Sequence, residues 1–267
     1  MRLVSFLVLI SLVGGCSRAD PAAVEAARLA LRGPAVALGE AVVRTQRTMD
    51  KIRHKVPRGQ AMKDALAAVP GELATLRSSA DQLDALAGKL DARHPVVGKA
   101  VQAVRDLTGL ARTTAAGAES EANVYGRLAG LDVAMDGIVA GWDEGGTQRE
   151  RRLALSASAK QAAALAARAA ALPPMPGVCP ALRDNRARWG RLVAERSAKL
   201  AGVATSTGGA VYDEFRDRYR PQPYGVADRI AADAADRACW ETHSAVATAE
   251  TEARTVIARL ADLLNAS

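Results

Sequence analysis

The chain has 267 residues and a formal charge of +7, from 36 Lys plus Arg against 29 Asp plus Glu, and only 3% of it is aromatic. Abundant alanine and a near absence of β-branched runs of strand length exclude a strand-built domain and predict an all-α protein. Its core must come from Ala, Leu and Val, which lets helices approach closely but buries less area per residue than an aromatic core.

The chain starts with Met1-Arg2, an apolar run from Leu3 to Val13, and Gly14-Gly15-Cys16. A basic start, a short apolar stretch and small residues before a cut read as a secretory signal, and the run is too short to span a bilayer as a helix. Leu12-Val13-Gly14-Gly15-Cys16 resembles the lipobox of bacterial lipoproteins, with Val13 where that motif most often has Leu. The resemblance implies a signal peptide over 1–15, acylation of Cys16, and a lipidated N-terminus with a short tether over 16–21. Ser17 stands where lipoproteins kept in the inner membrane often have Asp, which favours the outer membrane facing the periplasm. The expected contacts are therefore a membrane, through the lipid anchor, and an envelope protein partner. No nucleic-acid partner is expected for an exported chain. Several acyl chains on one cysteine give stable anchoring where one would be marginal.

Asp20-Pro21 is a helix start, with Asp at the cap and Pro at the first helical position. Arg32-Gly33-Pro34 is expected to kink or restart that helix, and Val56-Pro57-Arg58-Gly59 to end it. Val69-Pro70-Gly71 interrupts the next segment. Leu73, Leu76, Ala80, Leu83, Ala87 and Leu90 then alternate steps of three and four, forming one stripe up to His94-Pro95. The stripe resumes at Val97, Val101, Val104, Thr108, Ala111 and Ala115 and passes through Ala118, Ala122 and Tyr125 towards Met135, Ile138 and Trp142. A single helix of about 45 residues would be near 65 Å long. Glu144-Gly145-Gly146 ends it.

A third stripe holds Leu155, Ser158, Ala162, Leu165, Ala169 and Leu172, followed by the Pro-rich run to Pro180. Helices over 180–204 and 210–219, a turn at Arg220 to Gly225, and a last helix with Val246, Ala249, Ala253, Val256, Leu260 and Leu263 on one face complete the chain. The fold expected is an elongated antiparallel helical bundle with coiled-coil-like, Ala-rich seams. It spans 22–267, either as one bundle or as parts 22–172 and 178–267.

With Cys16 acylated, Cys179 and Cys239 remain as an even pair for an oxidising compartment. Stepping back along the last stripe from Val246 reaches Thr242, Cys239 and Ala235, which points Cys239 at the core. A disulfide to Cys179 would close a loop of about 60 residues and contribute about 4 kcal/mol in the chain-entropy picture. Asp236, Cys239 and His243 share the same face, but no second ligand cluster accompanies them and an oxidised Cys239 could bind no metal. Asp91 and His94 have carboxylate-x-x-His spacing without the second motif that a di-iron bundle requires. No metal and no cofactor are expected.

There is no Gly-x-Ser-x-Gly elbow, no Ser-x-x-Lys with its partner motifs, no His-Glu-x-x-His and no phosphate-binding glycine signature, so no enzyme is expected. Two surfaces stand out instead. Lys51, Arg53, Lys55 and Arg58 cluster where a helix should end, complementing its dipole, and form a candidate patch for anionic headgroups or cell-wall polymers. Tyr212, Phe215 and Tyr219 fall at i, i+3 and i+7, with Tyr224 and Trp240 nearby, in a chain otherwise poor in rings. They read either as a local cluster capping the bundle or as a candidate partner surface, since aromatic and Arg side chains anchor interfaces. The functional expectation is a lipid-anchored envelope bundle with a structural or protein-interaction role. The alternative is a bundle that captures a small amphiphile, and an uncharacterised envelope enzyme comes third.

Overall fold

The computed structural model describes residues 20–55, 59–143, 145–173, 180–206, 209–219, 234 and 248–265, with the backbone alone at 54, 55, 205, 206, 209–211 and 219. In chain order the helices are α1 (Pro21–Lys55), α2 (Gly59–Leu66), α3 (Val69–Ala87), α4 (Pro95–Ala140), α5 (Gln148–Ala170), α6 (Pro180–Ser206), α7 (Gly209–Tyr219) and α8 (Ala249–Asn265), with a 3₁₀ turn at Gly141–Asp143. The fold is an all-α bundle, with no strand among the described residues.

The ends of these helices follow their chemistry. Asp20 Oδ1 accepts the Ala22 N–H at 3.0 Å, before the proline that opens α1. Pro70 sits in the first turn of α3, where its missing N–H leaves no partner unsatisfied. Thr147 and Glu150 form a reciprocal capping box at the start of α5, each accepting a backbone N–H of the other.

Pro34 does not restart the helix. α1 runs through it as one helix of 35 residues. An internal proline removes one intrahelical hydrogen bond and crowds the preceding turn, at a cost of about 3 kcal/mol. Leu31, Ala35 and Leu38 on the flanking turns are all buried, and α1 packs on α3, α4 and α8. Burial of that continuous stripe offsets the local penalty.

α4 is the spine. Its 46 residues give a length of about 69 Å. Its stretch from Val97 to Leu131 packs with α1, α2, α3 and α8 in one core that holds Leu76, Leu83, Val104, Leu107, Leu128 and Leu260, joined by Ala169 of α5 and by Leu182 and Ala187 of α6. Its last turns, with Met135 and Ile138, and Trp142 of the 3₁₀ turn that follows enter a second core with Leu155 of α5, Trp189, Val193 and Leu200 of α6, and Tyr212 of α7. The cores thus divide by position along α4, with α6 lying along α5 and α8 lying along α1 and α4. The close packing expected of small-residue seams is seen where α5 meets α6: a Cβ at Gly190 would lie 2.9 Å from the Ala166 Cα. Nothing larger than glycine fits there without moving backbone.

Candidate functional site

Charged side chains penetrate the Ala and Leu core at two levels of α4. Glu121 is fully buried, and its Oε2 accepts two hydrogen bonds from Arg53 of α1, from Nε at 3.1 Å and Nη2 at 2.8 Å. Arg53 also donates to Asp50, one turn earlier on α1. Three turns further along α4, Asp132 takes both carboxylate contacts of Arg186 from α6 at 3.2 Å each, and its Oδ2 also accepts the Gly59 N–H at 3.4 Å. Gly59 opens α2 with φ of +56°, a conformation that glycine adopts without strain. Tyr125 lies between the two pairs on the same face of α4, wholly buried. Burial pushes its phenol well above the usual tyrosine range; the Glu121 carboxylate adds to the shift, and Arg53 and Arg186 oppose it.

This ladder ties α1, α2 and α6 to one register of α4. Taking such charges out of water costs several kcal/mol each, recovered only with close geometry and full hydrogen bonding, so the arrangement specifies which turns face each other more than it adds stability. Arg186 Nη1 and Trp189 Nε1 are buried with no hydrogen-bond partner among the described residues.

At the far end of α4 the aromatic groups lock together. The Trp142 indole N–H donates to Ser197 Oγ at 3.1 Å, and the Tyr212 hydroxyl donates to the Trp142 carbonyl at 3.0 Å. The Arg151 guanidinium stacks 4.8 Å from the centre of the Tyr212 ring. Burial raises the Tyr212 phenol above its ordinary range, with Arg151 and Arg216 opposing. Arg216 is held by Asp213 at 3.0 Å and Asp143 at 3.4 Å. Of the four residues expected to form a partner surface, Tyr212 is buried and belongs to the core, while Phe215 is half-buried beside it. The Tyr219 side chain and Tyr224 lie outside the described residues.

Of the basic patch, the side chains of Lys51 and Arg53 are described. Lys51 is exposed, but Arg53 points into the core on Glu121 and is only 3% exposed, so it cannot meet a headgroup. Grouped with its charged neighbours Arg53 looks outward, but it adjoins a seam in which Met49 and Ile52 are buried. The Lys55 side chain and Arg58 lie outside the described residues, as do Cys16, Cys179 and Cys239. Lys51 is also 31 residues along α1 from Asp20, about 46 Å at the helical rise, so the patch and the N-terminal end of α1 are far apart.

His94 is a cap. Its Nε2 accepts the Asp20 N–H at 3.0 Å, and its Nδ1 lies 3.4 Å from the Val97 nitrogen at the start of α4. Asp91 accepts from the Arg93 side chain and backbone instead, which holds its carboxyl down at about 2. No cluster of three potential metal ligands occurs among the described residues. None of their helices is long and apolar enough to cross a membrane.

One concave surface accompanies these features. α1 and α8 run antiparallel, with Arg47 on Glu250 at 3.0 Å and Gly39 against Ile257. Between them lies an open groove of about 750 Å³ that includes Lys51 in its lining. No protein-family model, curated protein or solved structure matches the chain.

Proposed function

We propose that this is a bacterial lipoprotein, anchored through an acylated Cys16 in the outer membrane and facing the periplasm, whose helical bundle serves a structural or protein-interaction role rather than catalysis. The observation that carries the reading is how the core charges are used. Arg53, Glu121, Asp132 and Arg186 are committed to one another across helices, which suits a rigid scaffold. A lipid anchor at one end of such a scaffold leaves the distant end of α4, with α7 and its half-buried Phe215, as the face to offer a partner. The geometry of α1 agrees, since Lys51 lies far from the anchored end and would meet a partner or cell-wall polymer sooner than the anchoring bilayer. A disulfide between Cys179 and Cys239 belongs to the same reading.

Fractionation of cells expressing Cys16→Ser tests the anchor. The variant should move from the membrane to the soluble fraction and lose labelling by a clickable fatty acid, and unchanged partitioning would refute the anchor. For the partner, a photo-crosslinking residue at exposed Glu214 should capture a discrete envelope protein, while one at exposed Lys160 of α5 should not. Equal labelling from both positions would count against α7 as the interaction face. Two freely alkylated thiols in the exported protein would remove the disulfide.

A further inference from the structure

The α1/α8 groove has a polar and an apolar end. Val36, Val43, Ile257 and Ala261 line one part of it; Arg44, Arg47, Lys51 and Arg254 line the other. The antiparallel pairing fixes this polarity: Gly39 meets Ile257 at the apolar end and Arg47 meets Glu250 at the cationic end. The lining residues on α1 run from Val36 to Lys51, about 22 Å of helix. The volume of about 750 Å³ lies in the range that small-molecule sites fill.

The floor is unfinished as protein surface. Val36 is 39% exposed, an uncommon state for a large aliphatic side chain in this molecule. Gly39 leaves room for Ile257, because a Cβ there would come within 2.1 Å of its Cδ1.

The charges are unbalanced in one direction. Arg47 and Arg254 share the Glu250 carboxylate, at 3.0 and 2.7 Å. Arg44 and Lys51, both exposed, have no ion-pair partner among the described residues. Glu40 is the only acid in the lining. Unpaired cations at one end of an apolar trough complement an anionic head carried on one hydrocarbon tail.

We infer that the groove between α1 and α8 binds a single-chain amphiphile with an anionic head, its tail along Val36, Val43 and Ile257 and its head on Arg44 and Lys51. The inference stands apart from the anchoring and partner reading, because it can be tested on a chain that carries no lipid.

The test uses the full exported chain with Cys16→Ser, delipidated, and 11-(dansylamino)undecanoic acid as a fluorescent probe. Saturable binding with a blue-shifted emission is expected. Palmitate or lysophosphatidylglycerol should displace the probe at least tenfold better than hexadecanol, and the tighter of the two identifies the head as carboxylate or phosphate. Arg44→Glu with Lys51→Glu should weaken the acidic ligands at least tenfold. Ala258→Trp places a large side chain at an exposed groove position and should abolish capture without altering helix content. The inference is overturned if no saturable binding occurs, if hexadecanol competes as well as both acids, or if both variants bind within twofold of the parent while retaining its circular dichroism.

Discussion

Arg53 places two hydrogen bonds on one carboxylate oxygen of Glu121, a residue 68 positions away, inside a core built mainly from Ala, Leu and Val. Removing one partner strands the other charge without solvent. Arg53→Met or Glu121→Leu should each destabilise the protein by about 3–5 kcal/mol, while the double variant should recover most of that loss, because paired apolar replacements remove the desolvation penalty together. Urea unfolding of the Cys16→Ser chain measures all three. Additive losses in the double variant would show that the two side chains act independently.

The ladder was legible in outline. Among the buried positions of α4 after Ala118, Glu121, Tyr125, Leu128, Asp132 and Met135 follow one another in alternating steps of four and three. A sequence reading that prefers apolar residues moves the stripe to Ala122, which is only half-buried, and so passes over the acid that sits in the seam. The general sign is a charge that continues a heptad stripe. The complementary sign on α1 was hidden, because Arg53 lies among other cations and nothing local marks which one turns inward. The stripe at 73–90, the long α4 and the cap at Asp20 follow from local sequence signals and were readable for that reason. The α1/α8 groove was not, since it depends on which helices become neighbours across the fold.

Glu250 ties α8 to α1. Its carboxylate is held below the usual range, first by the hydrogen bonds from Arg254 and then by those from Arg47, and its backbone N–H donates to Gln46 Oε1 at 2.6 Å. A carboxylate with a folded-state pKa below its unfolded value of about 4.3 contributes stability above that value and loses it as pH falls through the lower, folded one. Asp106, which pairs with Arg259 of α8, is shifted the same way, chiefly by Gln102. Thermal stability should therefore fall on acidification below about pH 5. Glu250→Gln should lower the melting temperature at pH 7 and flatten this acid limb. A variant whose melting curve follows the parent's at every pH would show that the bridge contributes nothing, as is common for exposed pairs.

Thr147 is the N-cap of α5. Its Oγ1 accepts the Glu150 N–H at 3.3 Å, and Glu150 Oε2 returns a contact to the Thr147 N–H at 2.8 Å. That backbone contact, followed by the one to the Thr147 hydroxyl, holds the Glu150 carboxyl below its ordinary value. Thr147→Ala should cost about 1 kcal/mol, and Thr147→Ser much less, because serine keeps the acceptor. Equal losses for both variants would trace the effect to the methyl group and not to the cap.

Tyr212 and Phe215 separate holding the fold from offering a surface, although they lie one turn apart on α7. Tyr212 is buried, donates to the Trp142 carbonyl and carries the Arg151 guanidinium on its ring. Tyr212→Phe removes one buried hydrogen bond and leaves the Trp142 carbonyl without that donor, so a loss of about 1–2 kcal/mol is expected. Tyr212→Ala removes the ring as well and should cost about 3–5 kcal/mol. Phe215 is half-buried against the same core, so its truncation opens a smaller void, and Phe215→Ser should lower stability by less than Tyr212→Ala. If α7 meets an envelope partner, Phe215→Ser should nevertheless reduce crosslinking from Glu214 severalfold, whereas Tyr212→Phe should leave it intact. Should Phe215→Ser leave crosslinking at the parental level while Tyr212→Phe reduces it, α7 would be a strut for the second core, and the partner face would have to be sought elsewhere on the bundle.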